Sequence, residues 1–238
     1  MKARIFCMIL LLGGFACKDE EVFKKVTPVP EDIFNVELCP TLLSNALSLF
    51  PDSRNNMQTH TQLFTGTTQQ RIVLTKDTDV YVTFVTEAAT IGNVLGYYIY
   101  DQNNVPGSSE DIDKQLIFPN VDKTYLNPGD TRRLGSAQLK AGTVIGFFLI
   151  VGGYRNDGVY FKRPTSYTDQ NWNADQAKQH VMYQESECSA IVIGFEDKNS
   201  ASTNTDKDFN DIIFTVSDNI DDAPNTSFDL QNVVTLTK

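Results

Sequence analysis

Val80-Tyr81-Val82-Thr83-Phe84-Val85-Thr86 is the stretch on which the fold turns. It is built from β-branched and aromatic residues, the types that fit a pleated, packed surface. Strict apolar–polar alternation is missing, as expected for a strand whose two faces both meet protein. The same texture recurs outward along the chain at 72–75, 95–100, 115–118, 143–151, 158–161, 181–183, 190–195 and 212–216. Asn, Asp, Gly and Pro separate these runs, which read as strands. No helical periodicity lies between them, which excludes a parallel βαβ sheet. The expected fold is therefore all-β, an antiparallel β-sandwich of jelly-roll type spanning 70–218. One short helix precedes it: Leu42, Leu43, Ala46, Leu47 and Phe50 recur at helical spacing between Pro40 and Pro51. Residues 52–70 are polar and read as irregular. The longest break between strands, 163–180, carries the only tryptophan, Trp172.

The chain has 238 residues, of which 41% are hydrophobic, with 30 Asp+Glu against 20 Lys+Arg. That apolar content supports a core and excludes global disorder. A net charge of −10 speaks against a nucleic-acid partner, which requires a basic footprint. Residues 1–16 read as a signal peptide: Lys2 and Arg4, an apolar run, then Gly13, Gly14 and Ala16 before Cys17. Small residues ending in cysteine resemble a bacterial lipobox, which makes Cys17 the expected lipid attachment site. Lys18-Asp19-Glu20-Glu21 is similar to the export tag of Bacteroidota surface lipoproteins. These features predict a lipid-anchored protein of the bacterial outer membrane, exposed at the cell surface. Residues 17–36 then form the tether, 37–69 the helix and its lead-in, and 219–238 a C-terminal segment. With Cys7 in the signal and Cys17 lipidated, Cys39 and Cys188 remain. An exported compartment permits a disulfide between them, and two buried thiols fit equally well.

Acidic residues are concentrated in one place. A strand runs into Gly194-Phe195-Glu196-Asp197, and Asp206-Lys207-Asp208-Phe209-Asn210-Asp211 leads into the next. Glu196, Asp197, Asp206, Asp208 and Asp211, with the Asn210 amide, thus meet at one end of a hairpin. Carboxylates this close repel one another unless they take up protons or a cation. Oxygen-only donors on an irregular loop point to calcium rather than zinc or copper. An EF-hand is excluded: counted from Asp206, the glycine position holds Asp211 and the final glutamate position holds Ser217. Glu87 and Asn93, in the turn near Gly92, are further candidate ligands; Asn93 fits equally as a turn former and Glu87 as a surface residue.

Gly194-Phe195-Glu196-Asp197 together with Asp206-x-Asp208-Phe209-Asn210-Asp211 resembles the signature of domain-of-unknown-function family 4114. That family includes LruC-type bacterial lipoproteins. The segments 82–89, 93–98 and 139–148 add to the resemblance, which extends over about 70–218. It implies a β-sandwich with an acidic, calcium-binding site, and no established activity.

Catalytic readings are weaker. Glu196 and Asp208 form a pair for acid–base attack on a glycosidic bond, but such a mechanism needs one acid in a dry pocket. His60 and His180 are the only histidines, and no G-x-S-x-G turn accompanies them. Glycan binding by ring stacking is the remaining expectation. Its candidates are Tyr98 and Tyr100 on one strand face, with Tyr160, Tyr167 and Trp172 near the long break. The reading is a calcium-binding surface module for glycans or surface proteins, with a glycan-active hydrolase as the alternative.

Overall fold

The computed structural model describes residues 23–66, 68–221 and 223–238, so the expected signal peptide, the expected lipidation site Cys17 and the segment read as an export tag lie outside the described residues. The run from Val80 becomes a central strand, Tyr81–Thr86, and its loose alternation has a physical cause. Val82 and Phe84 enter the core between two sheets, while Val85 enters a second core on the opposite face. Thr83 is buried on that second face and is satisfied by Thr131, whose Oγ1 lies 2.8 Å from its own.

Numbered along the chain, the strands are β1 (Phe23–Lys25), β2 (Phe34–Asn35), β3 (Ile72–Leu74), β4 (Tyr81–Thr86), β5 (Asn93–Asp101) and β6 (Gln115–Val121). Then come β7 (Asp130–Arg133), β8 (Thr143–Ile150), β9 (Tyr154–Arg155), β10 (Gly158–Tyr160) and β11 (Thr165–Tyr167). The last are β12 (His180–Glu185), β13 (Ile191–Phe195), β14 (Ile212–Ser217), β15 (Phe228–Asp229) and β16 (Val234–Leu236). A seven-stranded sheet, β16-β12-β13-β14-β4-β7-β2, faces a six-stranded one, β15-β3-β8-β5-β6 with β11 on β8. The chain switches sheets at β3–β4, β4–β5, β6–β7 and β7–β8, as a jelly-roll-type sandwich does and a meander does not. Between the sheets lie Leu95, Phe118, Ile145, Phe147, Ile193, Phe195 and Phe214.

Two departures from the expected antiparallel sandwich involve the chain ends. β16 pairs with β12 in parallel, and β15 extends the other sheet, so the segment 219–238 edges both sheets. The tether region supplies β1 and β2. β1, β10 and β9 form a small third sheet whose Val159 caps an outer core with Tyr98, Phe148 and Tyr167.

The expected helix is α1 (Leu42–Leu49). Leu42, Ala46 and Leu49 pack on the outside of the seven-stranded sheet against Val181, Tyr183 and Val192. The polar stretch read as irregular is ordered differently. It holds α2 (Asn56–Thr59), capped by the Asn55 side chain, and a 3₁₀ turn over Thr61–Phe64. A Cys39–Cys188 disulfide joins the start of this lead-in to the β12–β13 turn, with Cα atoms 5.9 Å apart, and resolves the pairing left open by the sequence. No described helix is long and apolar enough to cross a membrane.

Candidate metal centre

β13 ends at Phe195 and β14 begins at Ile212, so everything between is loop at one rim of the sandwich. The loop is shaped from below. Phe209 is fully buried in the second core, beside α1 and Val85, and packs against Phe64 with ring centroids 5.1 Å apart. Lys207 and Phe209 both adopt positive φ, at 60° and 58°, a conformation costly for bulky residues. The strain is offset by burying the Phe209 ring, which leaves its neighbours Asp208 and Asn210 to the loop.

The lead-in grips this loop directly. Ser53 N–H donates to Asp208 Oδ2 at 2.9 Å, and Asn56 Nδ2 donates to the Asp208 carbonyl at 2.8 Å. Asn210 Nδ2 donates to the Phe50 carbonyl at 3.1 Å. The acidic cluster therefore resolves into two groups. Oxygens of Glu196, Asp197 and Asp211 lie within 4.8 Å of one another, and so do oxygens of Asp52, Asp206 and Asp208. Asp52 was not legible in the sequence. It stands far upstream in a polar stretch with no spacing that ties it to Asp208.

Electrostatics within the first group are unfavourable without a counter-charge. Glu196 is 1% exposed, and its Oε2 is buried with no hydrogen-bond partner. Its other oxygen accepts the Lys198 N–H at 3.3 Å. Burial, followed by the charges of Asp206 and Asp208, pushes the Glu196 carboxyl up to about 7. Asp211 is pushed up to about 8 by burial and by the Asp197 charge, although its Oδ2 accepts the Asp197 N–H at 2.7 Å. Burial also raises Asp208. A second buried orphan oxygen, Asn56 Oδ1, belongs to the residue that holds the Asp208 carbonyl.

Two expected ligands have other roles. Glu87 joins neither acidic group: its Oε1 accepts the Lys123 N–H at 3.2 Å and lies 3.8 Å from Lys123 Nζ, closing the β4–β5 turn onto the loop after β6. Asn93 uses both ends of its amide as a brace. It donates to Asp197 Oδ2 at 3.2 Å and accepts the Gly152 N–H at 2.9 Å. It positions Asp197 from the neighbouring sheet.

The aromatic candidates divide. Tyr98 is fully buried and Tyr167 nearly so, packed with Trp172 in the outer core, so neither offers a face for stacking. Neighbouring aromatic rings and the long segment 163–180, which supplies β11, cover them. Tyr100 and Trp172 are half-buried, and Tyr160 lies apart on the small sheet against Phe23. Among comparisons with known proteins, neither the curated proteins nor the solved structures gave a match. β8 through β14 and both halves of the acidic hairpin fall within residues 139–219, and this segment matches the family model Domain of unknown function (DUF4114).

Proposed function

We propose that this chain is a lipid-anchored surface module whose rim loops are organised by calcium bound at Glu196, Asp197 and Asp211. One observation carries the reading: a fully desolvated carboxylate oxygen, Glu196 Oε2, without a partner, beside two more carboxylates. An orphaned buried charge costs several kcal/mol, on the order of 3–5, and a hard cation removes the penalty. Calcium suits the oxygen donors and the irregular loop better than magnesium, which demands octahedral geometry. The burial that orphans Glu196 also argues against the hydrolase alternative, because a glycosidic oxygen cannot reach it. The Cys39–Cys188 bridge supports an oxidising, exported setting.

Calorimetric titration and thermal melts test the centre. At free calcium about ten times the dissociation constant, linkage adds about 1.4 kcal/mol. That corresponds to a melting shift of roughly 3–5 °C. Glu196→Gln and Asp211→Asn should abolish the shift, whereas Lys76→Ala should keep it. Neutral isosteres serve better than Asp208→Ala, which would also strand the Ser53 and Asn210 N–H groups. A melt indifferent to chelator, with no heat of binding at millimolar calcium, would remove the centre.

The pH dependence follows from the same groups. Glu196 and Asp211 hold protons more tightly folded than unfolded, so their contribution is complete below about pH 4. It is lost as pH rises through about 7 to 8 in the cation-free protein. Calcium competes with these protons, so its affinity should fall as pH drops below about 8, and more steeply below about 7. A cation-free protein whose stability rises between pH 5 and pH 8 would contradict this assignment.

Glycan binding has a separate observation in its favour. An open cleft of about 600 Å³ runs between Val105 and Trp172, with Gln69, Asn171 and the Arg71–Asp169 ion pair along its walls. Planar polar groups beside an indole suit a sugar ring. A glycan array on wild type and Trp172→Ala tests this reading, which fails if no glycan distinguishes them. For the anchor, Cys17→Ser should release the protein from membranes; unchanged membrane fractionation would count against lipidation.

A further inference from the structure

The chain is acidic overall, yet its bases are not spread evenly. Residues 23–25 and 154–163 hold Lys24, Lys25, Arg155, Lys162 and Arg163, a quarter of the chain's 20 basic residues, against a single acid, Asp157. The β1, β9 and β10 pairings bring these segments together. Lys25 stands opposite Gly158, and Gly158 opposite Arg155, while Phe23 stands opposite Tyr160. Directly opposed residues share a face, so Phe23, Lys25, Arg155 and Tyr160 lie on one side of the small sheet. Val159 lies on the other side, buried against the sandwich. The Phe23 and Tyr160 rings meet at 4.8 Å.

Arg163 joins this face from the strand connection. A Cβ built on Gly152 would lie 3.3 Å from Arg163 Nη2 and 3.4 Å from Arg155 Nη2, so the two guanidinium groups flank one point. Arg163 Nε is buried without a hydrogen-bond partner. None of the five basic residues forms an ion pair among the described residues, in a chain with 30 carboxylates. Converging, unpaired guanidinium groups fit an oxyanion, and phosphate matches their fork geometry. Aromatic rings beside bases are also the composition of a membrane–water interface.

We propose that the outer face of the β1-β10-β9 sheet, with Lys162 and Arg163, docks on a lipid surface whose phosphate headgroups are net anionic. Phe23 and Tyr160 sit at headgroup level and the bases engage the phosphates. Acids more than about 8 Å away are largely screened at physiological salt, which leaves Asp157 and the preceding Asp19, Glu20 and Glu21 as the acids that offset these five bases. Phe23 stands six positions after Cys17, a span of at most roughly 20 Å, so a lipid there would hold this face against the bilayer. The charge pattern stands without the anchor; the short tether rests on the lipid-anchor reading.

Vesicle co-sedimentation of the chain from Lys18 onward separates the two, since it carries neither the lipidated cysteine nor the apolar run that precedes it. With chelator present to exclude calcium bridging, the protein should partition onto phosphatidylglycerol vesicles and not onto phosphatidylcholine vesicles. Lys25→Gln, Arg155→Gln and Arg163→Gln should each lower partitioning about fivefold, and together about a hundredfold. An unchanged melting temperature of the triple variant would show that the loss is electrostatic, and Lys140→Gln should have no effect. Equal sedimentation with both vesicle types, or a triple variant that binds as wild type does, would overturn the proposal. So would binding of inorganic phosphate with no preference for phosphatidylglycerol vesicles.

Discussion

Gly146→Ala is expected to destabilise the fold by about 3 kcal/mol, the upper range for overpacking a core. β5 and β8 pair so that Tyr98 stands opposite Gly146 and Phe148 opposite Gly96. Each ring covers its cross-strand glycine, and a Cβ on Gly146 would collide with the Tyr98 ring. That ring cannot retreat, because Tyr167 and Trp172 pack around it and Thr168 Oγ1 lies 3.3 Å from its hydroxyl. Gly96→Ala should behave alike against Phe148. Urea denaturation measures both. If collision is the cause, Tyr98→Ala should lose less stability in the Gly146→Ala background than alone, a coupling of about 1 kcal/mol or more. A Gly146→Ala protein within about 0.5 kcal/mol of wild type would refute the packing account.

Removal of the Cys39–Cys188 bridge by paired serine substitution should cost about 3–5 kcal/mol, since it closes a long loop in the unfolded chain. The sequence separation is 149 residues, so the whole of β3 through β12 lies within it. For a chain of this size the loss corresponds to a melting temperature lower by roughly 10 °C. The bridge is not the lead-in's sole attachment. Asn45 Nδ2 still donates to Glu185 Oε1 at 3.1 Å, and α1 still packs on the sheet, so the reduced protein should remain folded. A reduced protein melting within about 2 °C of the oxidised one would show that these contacts already fix the lead-in.

How much of this was legible beforehand depended on whether burial left a local pattern. The central strands and α1 were readable because their apolar residues must meet a core, which dictates residue type over consecutive positions. β7 was not, because Asp130-Thr131-Arg132-Arg133 is a polar run near the sheet edge: Arg133 pairs with Asp79, while Arg132 reaches across to the Leu116 and Ile117 carbonyls and to Asp32. β15 and β16 are short edges with few apolar positions to betray them. At the rim, the density of acids between Glu196 and Asp211 pointed to a cation, and that density is local. The division into two groups, the entry of Asp52 and the bracing role of Asn93 all depend on contacts across more than a hundred residues. Tyr98 and Tyr167 misled because an aromatic in a strand has the same letter whether its outer face is bare or roofed. The roof, 163–180, is held by Asn173, which bonds the Tyr167 backbone through both ends of its amide.

The edge strands β15 and β16 also set a timing. Each of the two large sheets takes an edge from the segment 219–238, while β1 and β2 lie before residue 37. β14 needs β4, β12 needs β16 and β3 needs β15, so neither main layer is finished until strands far apart in the chain have met. A polypeptide still emerging from a ribosome thus has its hydrogen-bonding partners divided between the part already out and the part still inside. Long-range pairing of this kind is slow. Such a chain stays pliable until the segments carrying β15 and β16 have joined the two sheets.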